Sequence, residues 1–135
     1  MSESVKMKGR VLVTNKVSKN KTMFTENCKI TYPEKLPIAY RFDFFKPDMV
    51  VGQASVSEDD RGLICDACIN NKDFIDFVTK LGGEIPIGGY FTRVKKREKE
   101  NGVVIIDEAR LTGIGITLAP ADDECKMIFV EESEE

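Results

Sequence analysis

Residues Glu108 to Ala121 read EARLTGIGITLAPA, and the reading of this stretch decides the rest. In an extended strand alternate side chains point to opposite faces, so Leu111, Gly113, Gly115 and Thr117 share one face and Thr112, Ile114, Ile116 and Leu118 the other. The second face is apolar. Two glycines in a run rich in isoleucine and threonine mark a bulge, a barrel corner or a close approach of another chain segment. Ala119-Pro120-Ala121 ends the ladder, because proline has no amide hydrogen to contribute.

Working outward, the 135 residues make one domain with 41% hydrophobic and 32% charged residues, enough to bury a core of its own. A formal charge of -3 gives no global basic field, so no nucleic acid is expected as a partner. No run reaches the roughly 20 apolar residues that span a bilayer, and the start, MSESVKMKGR, lacks the apolar segment of a secretory signal; no membrane is expected either. Histidine is absent, which removes the commonest general base, the usual catalytic triad and most catalytic zinc sites. Neither cofactor nor metal is expected. Cys28, Cys65, Cys68 and Cys125 read as free buried thiols. Cys65 and Cys68 have CxxC spacing, but inside a strand residues three apart face opposite ways, which is awkward for a shared metal.

Along the chain, residues 1–8 are polar and are read as a mobile segment, 9–130 as the single folded domain and 131–135 as an acidic, self-repelling tail. Strands are expected at Gly9 to Thr14, in one or two pieces over Thr22 to Thr31, at Met49 to Val56 with a bulge at Gly52, and at Leu63 to Ile69. The polar turn Ser57 to Gly62 joins the last two. The aromatic run Ile38 to Phe45 reads as core or subunit interface rather than a platform for bases. Asn71 offers an N-cap, Phe74, Phe77, Val78 and Leu81 recur at helical spacing, and Gly82-Gly83 stops the segment, so one main helix is expected at about 71–81. A strand over Ile85 to Val94, a charged tip over Lys95 to Gly102, a return over Val103 to Asp107 and a last strand over Lys126 to Val130 complete a mainly β, α+β chain.

Four stretches in this order carry a resemblance: LPIAYRFD (Leu36 to Asp43), VVGQASVSEDDRGL (Val50 to Leu63), IPIGGYFTRVKK (Ile85 to Lys96) and EARLTGIGITLAPA itself. Together they resemble the tailed-phage prohead protease family over roughly residues 36–121. That family's fold is a small closed β-barrel with helices, similar to the herpesvirus assemblin protease, and the resemblance implies such a barrel here. It also puts Phe42 where the family has its catalytic histidine and Gly115 where it has the nucleophilic serine. A phenyl ring and a hydrogen atom supply neither base nor hydroxyl, so the resemblance implies a catalytically inactive relative.

The expectation is a non-enzymatic phage head protein, a decoration or stabilising component of the virion made in the host cytoplasm. Its partner would be the major capsid protein, with self-association into a homo-oligomer. The expected contact residues are Tyr40, Phe44 and Phe45 on a barrel-edge strand, with Asp59 and Lys96 near hairpin tips. Two alternatives stand beside it: an enzyme with a relocated peptidase site built on a hydroxyl and a lysine, and a regulatory β-barrel binding module with an apolar cleft.

Overall fold

Eight strands and one α-helix follow in the order β1 (Val5–Val13), β2 (Thr22–Thr31), β3 (Leu36–Tyr40), β4 (Val50–Asp59), β5 (Gly62–Ile69), α1 (Lys72–Lys80), β6 (Glu84–Glu98), β7 (Val104–Ile116) and β8 (Lys126–Phe129) in a computed structural model that describes residues 4–130. Seven strands close into a barrel in the order β7-β3-β4-β5-β1-β8-β6, with β6 hydrogen-bonded back to β7. The small mainly β barrel with one helix is therefore the fold. Strand β2 stands outside the ring, parallel to the first half of β7, while β3 runs parallel to its last three residues.

The barrel is filled by the inward residues of all seven strands, among them Met7, Leu36, Ile38, Leu63, Ile69 and Ile87. Helix α1 forms where expected. The Asn71 side chain accepts the backbone N–H of Phe74 at 3.0 Å, Leu81 is the C-cap, and Gly82 and Gly83 follow with positive φ. Its apolar stripe brings Phe74 and Val78 to full burial, and Tyr40 meets Phe74 edge-on with ring centroids 5.5 Å apart.

Several local expectations are corrected. Strand β1 begins at Val5 rather than Gly9, because Val5 to Lys8 pair with Ile69 to Asp66 and Met7 enters the core; residues 1–3 and the tail at 131–135 lie outside the described residues. Strand β7 is one strand from Val104 to Ile116, joining segments read separately. Its alternation also breaks. Tyr90 pairs with Gly113 and Phe91 with Leu111, leaving Thr112 as the extra residue of a bulge, so Leu111 joins Ile114 and Ile116 in the core. Leu118 lies past the strand end and is 81% exposed. In β4 the register shift falls at Val51, between the partners of Ile38 and Ala39, while Gly52 serves a different need: a Cβ there would collide with the Cys68 carbonyl oxygen of β5.

All four cysteines are free, but against the expectation only Cys65 and Cys125 are buried: Cys68 is exposed, on the face of β5 opposite Cys65 as the strand reading requires, and Cys28 is half-buried. Burial pushes the Cys65 thiol up to about 12, and burial together with the Asp122 carboxylate raises Cys125 to about 12. Burial raises the half-buried Cys28 to about 11. A thiol-reactive dye at neutral pH should therefore label Cys68 at once, Cys28 far more slowly, and Cys65 and Cys125 only after unfolding. Mass-spectrometric mapping of the labelled peptides reads this order. Rapid labelling of Cys65 in the folded protein would contradict the barrel assignment.

Candidate functional site

Strand β3 stops at Tyr40 because the next two residues leave extended geometry: Arg41 and Phe42 have φ of 54° and 62°, the left-handed region that L residues rarely adopt. The turn is secured from below, where the Arg41 backbone N–H donates to the Ile116 carbonyl at 2.9 Å and Asp43 N–H donates to Tyr40 at 3.0 Å. Its effect is to swing the following side chains over the outer face of β7. Phe42 lies directly on Gly115 and Phe44 on Gly113. A Cβ on Gly113 would stand 2.5 Å from the Phe44 ring, and one on Gly115 would overlap Phe42 more deeply. Tyr90 completes the cluster, with its ring 6.2 Å from Phe42 and 5.5 Å from Phe44.

The two positions that the resemblance pairs are thus in contact, and the contact is ring on bare backbone. No hydroxyl stands there. Thr117, two residues further on, accepts the Ala119 N–H at 3.1 Å, while Ser55 and Ser57 are exposed on β4. Lys35 is exposed, and Lys46 pairs with Asp43 at 3.5 Å. Among the described residues no serine or threonine hydroxyl hydrogen-bonds a lysine ammonium, and no three carboxylates or thiols converge as metal ligands.

The expected contact residues divide. Tyr40 is half-buried against Phe74, and Phe44 is half-buried over Gly113, so both belong mainly to packing. Phe45 is 98% exposed, on a turn rather than on the edge strand expected for it. Asp59 is not a free turn carboxylate. The Arg10 guanidinium donates to both its oxygens at 2.6 Å, and Arg61 N–H adds a third bond at 3.0 Å. Lys96 is likewise off the tip: it pairs with Ile106 within β6–β7, and the turn itself comprises 99–103, with Asn101 and Gly102 both at φ of 73°. Its neighbours Lys95 and Arg97 pair with Glu108 and Asp107 across the hairpin, each at 3.1 Å.

The Arg10 guanidinium holds the Asp59 carboxyl far below its ordinary value of 3.8. A carboxyl depressed in the folded state stabilises above its unfolded pKa and loses that contribution as pH falls through the folded one. The clasp should therefore be at full strength at neutral pH and weaken below about pH 4. Asp59→Asn is expected to lower the melting temperature at pH 7, with the gap to wild type closing progressively in acid. A gap constant down to about pH 2.5 would contradict the assignment.

Beside the glycine face, Tyr40, Phe42, Phe77, Ile116 and Leu118 line an apolar cleft of about 540 Å³ between α1 and the end of β7. Phe77 is 43% exposed there. The sequence anticipates neither the Phe44–Gly113 contact nor the place of this cleft, an apolar cleft being expected only for the regulatory-module alternative. A signal for the first exists in the spacing: Phe42-Asp43-Phe44 repeats the interval of Gly113-Ile114-Gly115, ring for missing side chain. No family model matches the chain, and no curated protein matches it.

Proposed function

We propose that the chain is a non-enzymatic structural protein of a tailed-phage head, decorating or stabilising the assembled shell on a barrel of the prohead-protease type. One observation carries the reading. The position that the resemblance gives to the nucleophile is Gly115, and the space a side chain would need is taken by the ring of Phe42. Acyl transfer needs a hydroxyl or thiol within reach of a base and a place beside it for the scissile carbonyl. A phenyl packed onto a bare strand removes both together. The absence of histidine throughout the chain supports the same conclusion.

What remains for such a barrel is binding, and its surface carries anchors for it. Phe45 at 98% and Leu118 at 81% exposure leave large apolar side chains in solvent, and Leu118 lines the same cleft as the half-exposed Phe77. A few buried side chains, aromatic ones prominent among them, supply most of the energy of protein interfaces. The partner in this reading is the major capsid protein, the chain also associates with copies of itself, and its place is the virion.

Phe45→Asp and Leu118→Asp test this surface. Both side chains already face water, so the variants should melt as the wild type does. In co-sedimentation with heads of the phage that encodes the chain, each should lose at least about tenfold in affinity, the worth of one anchor. Wild-type retention by both variants would move the interface elsewhere. The second reading, a regulatory barrel module, is favoured by the cleft under Tyr40 and Phe77 and would give no retention on heads in any form.

A further inference from the structure

A second cavity lies on the other side of Phe42, where the barrel wall meets two loops. Its volume is about 310 Å³, and its floor is formed by the Gly88-Gly89 backbone with Val13 and Ile87. Three rings, Phe24, Phe42 and Phe91, wall it; Phe24 and Phe91 stand 4.7 Å apart at 40°, leaning together rather than stacking flat. The loops are residues 14–21 and 117–125, far apart in sequence and laced over the opening. Lys16 pairs with Asp122 at 3.1 Å and with Glu124 at 3.3 Å, Lys19 pairs with Asp123 at 2.5 Å, and Lys19 N–H donates to the Ala121 carbonyl at 2.9 Å. Arg61 closes the far side on Glu124.

We propose that this cavity is a binding site for a neutral, flat molecule of one or two fused rings. Size gives the first bound. A cavity of about 150 Å³ lined by apolar side chains is enough for benzene, so about twice that volume suits two fused rings. Lining gives the second: three phenyl rings with Val13, Ile87 and the Gly88-Gly89 backbone give a planar molecule aromatic and apolar contact, beside the polar side chains of Ser18, Asn20 and Thr22 that also line the cavity. Charge gives the third. The ion pairs over the opening comprise three cations, Lys16, Lys19 and Arg61, and three anions, Asp122, Asp123 and Glu124, each engaged with the others. A charged ligand would find no unmatched partner at the mouth and would lose its hydration on entering. The site stands apart from any docking to a shell, and its test reads neither sedimentation nor heads.

The experiment is a titration of the labelled protein with indole, followed by NMR, with indole-3-acetate and tryptamine as anionic and cationic counterparts. Saturable shifts with a dissociation constant of roughly 10⁻⁴ M are expected for indole, and binding at least about tenfold weaker for the two ions. Nuclear Overhauser contacts from bound indole should reach the rings of Phe24, Phe42 and Phe91. Ala121→Trp, at the exposed mouth, should abolish these shifts while leaving the rest of the amide spectrum in place. No saturation up to about 5 mM indole, equal affinity for an ion, or contacts to other rings only would each overturn the proposal. Because the contacts are read on the wild type, a misfolded variant leaves that decision intact.

Discussion

Phe74→Ala is expected to lower the melting temperature by about 12–20 °C, the largest effect of any single truncation considered. The ring is wholly buried and, with Val78, seals the helix onto the barrel, with Tyr40 at its edge. Removing a buried phenyl costs roughly 3–5 kcal/mol, the transfer term plus the cavity left behind. The surroundings cannot collapse into the gap, because they are strand residues fixed by the ladders of a closed barrel. Thermal denaturation followed by circular dichroism reads the shift. A fall of less than about 4 °C would mean that α1 is not sealed onto the barrel as described.

Gly115→Val comes second, at about 1–3 kcal/mol and a melting temperature lower by about 4–12 °C. The cost comes from overpacking: a side chain on Gly115 occupies the position of the Phe42 ring, and Phe42 is tied to a left-handed turn that cannot slide. The same contact makes a sharper forecast about the pair. Phe42→Ala alone should destabilise through lost burial, by about 1–2 kcal/mol for a half-buried ring. With both changes the valine occupies room the ring has left, so the double variant should be more stable than the sum of the singles, by about 1 kcal/mol. Strict additivity would show that the two residues do not touch.

How much of this was legible in the chain varies with the distance over which the cause acts. Helix α1 was legible because its signals are local: Asn71, the recurrence of Phe74 and Val78, and the glycines after Leu81. The β4–β5 hairpin was legible in outline for the same reason, but its turn is only Asp60 and Arg61, because Ser57 to Asp59 still pair with Ile64 to Gly62. The faces of β7 were not. Counting by twos assumes an unbroken ladder, and the bulge at Thr112 is set by the partner strand β6, with Thr92 and Thr112 joined through their hydroxyls at 2.7 Å. Asp59 looked free because its partner Arg10 is 49 residues away.

The site shows the same division. A family resemblance pairs Phe42 with Gly115, whereas the ring over Gly113 depends on the turn at Arg41 and Phe42. No propensity rule places two successive non-glycine residues at positive φ; packing of the rings on β7 and the hydrogen bond from Arg41 to Ile116 hold them there. The second cavity was invisible for a related reason. Its lid is joined by ion pairs and a backbone hydrogen bond between residues 102 to 108 positions apart.

The measurement that tests the proposed head role most directly is a sedimentation titration of the purified chain against expanded heads of the tailed phage to which that proposal assigns it. A structural shell protein should bind saturably and plateau at a fixed number of copies per major capsid subunit, with that subunit remaining uncleaved. Failure to bind any head form, or uptake that rises without a plateau, would contradict the account.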